Sequence, residues 1–289
     1  AGARAGKRSF PRKPWLGERP IRGRTLFLQS EQGFGDMIQF VRFAPLLARL
    51  GARVHLEAEA PLARLFQASF PEIEAIHLVG APIPQCEEHC TVPSLPLAFG
   101  TELASIPAAI PYLRAPEPLP PLWGETASAG PFRVGLAWSG NPAHHNDRNR
   151  SIPFARFRLA FDGLDRRFVS LQKDVRPADA AVFDATSSIV HAAHLMTDFA
   201  ATAALVEQLD LVVSVDTAVA HLAAALGKAV WLLLPYAPDW RWMLGRTDSP
   251  WYPTMRLFRQ PRAGDWDSVL AEVRANLKSD RWQTELDRE

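Results

Sequence analysis

One stretch constrains this chain more than any other. Leu211-Val212-Val213-Ser214-Val215 is a short branched-apolar run that stops at Asp216-Thr217, and a helical pattern over 218–226 follows until Gly227 ends it. Asp and Thr are favoured helix caps and Gly a favoured terminator, so these residues predict a buried strand, a tight turn and a helix that starts at the edge of a sheet. Free backbone N–H groups and the positive end of the helix dipole meet at such a start, and both favour a phosphate without a metal. The same residues also make an ordinary cap, with His221 as a half-buried helix residue.

The unit recurs along the chain. Thr25-Leu26-Phe27-Leu28-Gln29 is an apolar run followed by Gly33 and Gly35, and then by Ile38, Phe40, Val41, Leu46 and Leu47 at near-helical spacing. Residues 54–57 alternate like a strand and 60–70 return to helical spacing. From Pro131 the pattern restarts, with strands expected at 133–138, 168–171, 211–215 and 229–234, a helix at 199–209 and an amphipathic helix at 266–277. Alternating strands and helices imply α/β architecture with mostly parallel sheets. At 289 residues and 47% hydrophobic composition the chain suits two cores better than one. Between them, residues 82–121 are crowded with prolines that deny helix continuity and backbone donors, which reads as irregular surface ending in a linker. The expected division is a basic N-terminal linker over 1–24, an N-terminal domain over 25–122, a C-terminal domain over 123–264 and a C-terminal helix over 265–289.

Charge and cysteine content narrow the classes. A formal net charge of +1 gives no basic excess for tracking nucleic-acid phosphates. The basic residues of the first 24 positions, set against Glu18 alone, suit a solvated linker. Two cysteines are too few for a disulfide framework and point to a reducing, cytoplasmic compartment. Residues 218–234 are interrupted by His221, Gly227 and Lys228, short of the roughly 18 apolar residues of a membrane span. No signal pattern opens the chain and no Met stands first, which suggests a fragment of something longer.

Several other clusters carry possible chemistry. In Gln29-Ser30-Glu31-Gln32-Gly33-Phe34-Gly35-Asp36 the glycines permit a tight loop and close backbone approach to a ligand, while Asp36 serves either as a general base or as an acid at a helix start. Gly33-x-Gly35 lacks the third glycine and the downstream acid of a dinucleotide fingerprint. Ser139-Gly140-Asn141-Pro142 with Arg148 and Arg150 offers amides and guanidinium groups for a leaving diphosphate, and reads also as a solvated polar loop. His144, His145 and Asp147 match no strong metal spacing, and Cys86-x-x-His89-Cys90 lacks a second ligand pair, so no metal is expected at either. Asp265-Trp266-Asp267 resembles a metal-holding acid pair but precedes a helical pattern, which favours capping. The aromatics and arginines around Trp240, Arg241 and Arg246 suit sugar rings and phosphate, and domain packing equally well.

Glu31-Gln32-Gly33-Phe34-Gly35-Asp36 with Gln39-Phe40-Val41-Arg42-Phe43, then residues 135–142, Arg150-Ser151-Ile152-Pro153, Ser170-Leu171-Gln172-Lys173, residues 216–226 and the Trp240 and Trp251 segments together resemble the glycosyltransferase domain at the C-terminus of bacterial tetratricopeptide-repeat proteins. The layout is similar, more distantly, to ADP-heptose-lipopolysaccharide heptosyltransferases and to protein O-linked N-acetylglucosamine transferases. The resemblance implies a GT-B fold, two Rossmann-like domains facing each other across a cleft, with the donor on the C-terminal side and no required metal or cofactor beyond the nucleotide-sugar co-substrate. It implies an inverting transfer with Asp36 as catalytic base. Donor contacts fall on Ser139, Gly140, Asn141, Arg150, Gln172, Lys173, Asp216, Thr217, Ala218 and His221. Acceptor or sugar contacts fall on Gln32, Gly33, Gly35, Gln39, Trp240 and Arg241. Ala218 replaces the family's usual Gly, and Arg148 or Arg150 stands where a Lys is common. Expected partners are a nucleotide-sugar, a protein or lipopolysaccharide acceptor and tetratricopeptide repeats upstream. A non-catalytic glycan- or protein-binding module and a nucleotide-sugar epimerase are the alternatives.

Overall fold

A computed structural model describes Phe10, residues 12–122 and residues 131–279. In the N-terminal domain β1 (Thr25–Gln29), β2 (Arg53–Ala58), β3 (Ala75–Leu78) and β4 (Glu88–Thr91) form a sheet in the order β3-β2-β1-β4, every pair parallel. Its helices are α1 (Phe34–Phe40), α2 (Ala44–Arg49), α3 (Ala60–Ser69) and the short α4 (Leu95–Ala98). The C-terminal domain contains β5 (Arg133–Ala137), β6 (Arg167–Ser170), β7 (Ile189–His191), β8 (Leu211–Val215), β9 (Ala229–Leu234) and β10 (Met255–Arg259), ordered β10-β9-β8-β5-β6-β7 and all parallel. Its helices are α5 (Asp147–Arg150), α6 (Phe154–Phe157), α7 (Pro177–Asp184), α8 (Phe199–Glu207), α9 (Ala218–Ala225) and α10 (Trp266–Ser279).

The second sheet has the doubly wound Rossmann order, and the first is its four-strand portion. In this architecture the strand order reverses between β8 and β5, and the crevice beyond their carboxyl ends is where ligands bind. Ser139-Gly140 follows β5 and Asp216-Thr217 follows β8, so both expected donor segments stand at that crevice.

The burial of β8 and β9 explains their nearly uninterrupted apolar character. Val212, Val230, Leu232 and Leu234 enter a core shared with the N-terminal domain, while Leu211, Val213, Val215, Trp231 and Leu233 enter a second core closed by Val269, Leu270, Val273 and Leu277 of α10. Alternate side chains of each strand therefore meet different layers, as a parallel sheet covered on both faces requires. The shared core also joins the domains, through α1 against α9 and α3 against α8. Arg42 stitches the same boundary. It is buried, donates to the carbonyls of Trp251 at 2.6 Å, Gln39 at 2.7 Å and Pro107 at 3.2 Å, and lies over the Tyr112 and Tyr252 rings.

Three regions differ from expectation. The first is the basic N-terminal segment, whose residues 12–24 pack onto the N-terminal domain rather than standing in solvent: Trp15 and Ile21 are buried, and the carboxylate of buried Glu88 pairs with Arg12, Arg19 and Arg24. An acid on the edge strand β4 thus gathers the positive charge that looked like a linker. The second is β4 itself, a parallel partner of β1 inside the proline-rich stretch, where prolines and a polar strand sequence mask it. The third comprises β3, β7 and β10, short sheet-edge or near-edge strands with weak apolar signals. The expected boundary at 123 and the tail beyond 279 lie outside the described residues. Helix α10 is part of the C-terminal core, not a separate element.

Candidate functional site

The loop after β5 is built around Gly140. A Cβ there would stand 2.5 Å from Arg150 Nη2 and 2.8 Å from Arg150 Cζ, so only glycine lets the guanidinium lie against the loop. Arg150 in turn donates to the Asp216 carbonyl at 2.8 Å, tying the two donor segments together. The Ser139 N–H donates to Gln172 Oε1 at 3.1 Å and the Gly140 N–H to Ser151 Oγ at 3.1 Å. Ser139 Oγ is buried with no partner of its own. A second guanidinium, which sequence reasoning missed, completes this wall: Arg176 donates to the Gly140 carbonyl at 3.1 Å and to Asp147 Oδ2 at 2.5 Å. Its Arg-Pro context before α7 carries no motif.

The start of α9 is open in a way the sequence did not foresee. Thr217 occupies the N-cap with no side-chain cap bond; its hydroxyl instead meets Ser214 Oγ at 3.0 Å. Asp216 accepts from Trp242 Nε1 at 2.9 Å rather than capping, and burial pushes its carboxyl above the usual range. The helix start therefore lacks a side-chain acceptor of the kind that would compete with a phosphate. His221 is buried one turn along. Burial first, then Arg241, Arg42 and Arg150, holds its pKa well below the ordinary value, so the ring is neutral. The Tyr252 hydroxyl, kept protonated by burial, is hydrogen-bonded to Nδ1 at 2.9 Å, and Nε2 lies 3.8 Å from Asp216 Oδ1.

The N-terminal wall meets this turn directly. Gly35 lies within α1, and a Cβ on it would stand 2.9 Å from His221 Cδ2 and 3.6 Å from the Ala218 Cα. Its smallness serves contact between the two helices, and Ala218 backs onto that contact. Asp36 accepts from the Gly33 N–H at 2.9 Å through Oδ2 and pairs through Oδ1 with Arg241 Nη2. Arg241 also donates to Gln39 Oε1 at 2.8 Å and to Asp239 Oδ1 at 2.8 Å, and its guanidinium lies 4.9 Å from the centre of the exposed Trp240 ring.

Of the residues expected at a site, Asp36, Gly35, Gln39, Arg241, Asp216, Thr217, Ala218, His221, Arg150, Gly140, Ser139 and Gln172 form one connected cluster. Asn141 instead turns back on its own loop, accepting from the Ala143 N–H at 3.0 Å, and Lys173 reaches only the Thr197 carbonyl at 3.5 Å. Trp242, Tyr252 and Tyr112 also belong to the cluster; the aromatic segment advertised the first two, but not their partners. Several of the potential metal ligands are otherwise engaged. Asp147 accepts from Ser151 and Arg176, while both ring nitrogens of His89 are bonded, to Gln29 Nε2 and to the Arg12 carbonyl, each at 2.9 Å. The buried Cys90 thiol is pushed up to about 12, and Asp265 caps Ser268. Among the described residues no helix is long and apolar enough to cross a membrane.

Two parallel-sheet domains packed face to face, with an anion-ready helix start at the switch point of the second, define the GT-B class of fold. Within that class, the model of glycosyltransferase family 9 (heptosyltransferase) matches residues 190–234, the segment that contains β8, the Asp216 turn and α9. Protein FlbA of Caulobacter vibrioides is 27% identical over 293 residues, covering 93% of this chain and 48% of that protein. The chain thus spans about half the length of the curated relative it matches. A glycosyl transferase family 9 structure from Veillonella parvula superposes with a TM-score of 0.59 at 12% identity, covering 90% of this chain and 91% of that one. The E. coli ADP-heptose lps heptosyltransferase II does so with a TM-score of 0.55 at 15% identity, covering 89% and 99%. These likenesses establish the fold, and the family match falls on the segment that carries the turn.

Proposed function

We propose that the chain is an inverting glycosyltransferase that moves a sugar from a nucleotide-sugar to a hydroxyl of a protein or lipopolysaccharide acceptor, without a metal. One observation carries this reading: the uncapped start of α9, tied through Arg150 to the Gly140 loop and its second guanidinium Arg176, packs against Gly35, the residue next to Asp36. The cationic wall suits a diphosphate, whose charge grows as the sugar leaves, and fixed donors aimed at developing charge lower that barrier. Asp36 is the candidate base that takes the acceptor hydroxyl's proton while the new glycosidic bond forms and the anomeric carbon–phosphate oxygen bond breaks. The match of residues 190–234 to a heptosyltransferase family and a structural neighbour named for ADP-heptose support a nucleoside-diphosphate donor. Cytoplasmic action and tetratricopeptide repeats elsewhere in the full protein belong to the same reading.

The test is incubation with ADP-, UDP-, GDP- and CMP-sugars together with candidate hydroxyl acceptors, measuring sugar transfer and nucleotide release. Transfer to an acceptor supports the proposal. Nucleotide binding with no turnover under any pairing would instead mark a binding module, and epimerisation without an acceptor would mark an epimerase.

A further inference from the structure

The candidate base is not free to act as the structure stands. One oxygen of Asp36 accepts from the Gly33 N–H and the other is held by Arg241, which also donates to Gln39 and Asp239. Both carboxylate oxygens are thus engaged, and an acceptor hydroxyl must compete with a guanidinium for Oδ1.

Arg241 also stands beside the donor wall. Its neighbour Trp242 is bonded to Asp216 Oδ2 at 2.9 Å, which fixes the Trp240–Trp242 turn to the start of α9. The backbone on both sides of the Asp36–Arg241 pair is held in unfavourable geometry: among the described residues the positive-φ non-glycines are Gln32, at φ 70°, and Met243, at φ 51°. Such residues persist only where their surroundings over-determine them, and they gather at switching sites. Gln39, fully buried and bonded to Arg241 through Oε1, has an Nε2 with no partner although buried polar atoms are normally satisfied. The cluster thus contains an unused donor and two positive-φ residues around one ion pair.

We infer that Arg241 is a positioning residue that couples the two substrates: it holds Asp36 before the donor arrives and turns to the donor's diphosphate when it binds, releasing the carboxylate for the acceptor hydroxyl. The inference rests on the proposed nucleotide-sugar donor. A diphosphate at the start of α9 outcompetes a single carboxylate for the guanidinium because it brings more charge and more acceptor oxygens. The base is thereby withheld until a donor is in place.

Isothermal titration of the chain with ADP, UDP and GDP tests this. Asp36→Asn keeps a side-chain oxygen for the Gly33 cap but removes the charge that competes for Arg241, so the best-binding nucleotide is expected to tighten by about 5- to 10-fold. Arg241→Gln is expected to weaken it by about 10-fold or more, and the double variant to match Arg241→Gln alone, since the gain passes only through Arg241. Unchanged or weaker binding in Asp36→Asn, or an equal gain in the double variant, overturns the inference. If Asp36→Asn does not fold, tryptophan emission gives the second reading: nucleotide removes the cation from the Trp240 ring, so the unaltered protein is expected to show an emission change that Trp240→Phe largely lacks. Equal changes in both overturn it. Failure of all the nucleotides to bind the folded, unaltered protein overturns the donor assignment itself, an outcome distinct from binding without coupling.

Discussion

Gly35 of α1 and His221 of α9 meet across the domain boundary so closely that a Cβ on Gly35 would stand 2.9 Å from the imidazole Cδ2. His221 cannot yield easily, because its Nδ1 is fixed by Tyr252 and the ring is buried. Gly35→Ala is therefore expected to lower stability by about 1–3 kcal/mol, the usual cost of overpacking a tight contact. Thermal unfolding followed by circular dichroism checks this, and a melting temperature equal to that of the unaltered protein would show that the helices separate freely.

The neutral state of His221 has a pH signature. Its folded pKa is depressed by burial and by Arg241, Arg42 and Arg150, so below about pH 6.5 the unfolded chain binds a proton that the folded chain refuses. Stability from this group is complete above that pH and falls as the pH drops towards the folded pKa, by up to about 1.4 kcal/mol per pH unit. His144 and His77 add smaller losses of the same sign, and Asp216, whose carboxyl is raised, opposes them. Urea unfolding at pH 7.5 and pH 5.5 is expected to show a smaller stability loss for His221→Gln than for the unaltered protein; identical losses would remove His221 as the source.

Gly140 supports Arg150 by having no side chain. Gly140→Ala is expected to push the guanidinium off the loop, break its bond to the Asp216 carbonyl and weaken nucleoside-diphosphate binding by about 10-fold, equivalent to about 1.4 kcal/mol. Equilibrium binding of ADP, UDP and GDP to the variant measures it, with preserved affinity counting against Arg150 as a diphosphate ligand.

Asp36→Asn is expected to reduce sugar transfer by a factor on the order of 10²–10⁴, the range general-base catalysis supplies. The readout is the transfer rate at saturating donor. An amide retains the helix-start bond to Gly33, so a rate within a few-fold of the unaltered protein would place the base elsewhere.

Local order and long-range partnership were not equally legible in this chain. The strand–turn–helix units around β1, β5, β8 and β9 are written in short apolar runs ended by polar turns, because a strand covered on both faces must be apolar along its length. Those runs determined the α/β class, the presence of two domains and the placing of residues 139–140 and 216–217 at strand ends. Where the apolar signal was weak, as in β4 with its buried Glu88, the strand and the docking of residues 12–24 emerged only from the folded arrangement. The site divides the same way. Asp36 and Arg241 were each visible as chemistry-bearing residues, but their pairing joins positions 205 apart, and Arg176 enters the donor wall with no motif at all. Thr217 shows the limit most directly, since a residue type that favours capping was drawn instead to Ser214, leaving the helix start uncapped. Periodicity acts between neighbours and is carried by residue order; which polar groups meet is decided by the closure of one domain upon the other, and that exists only in the tertiary structure.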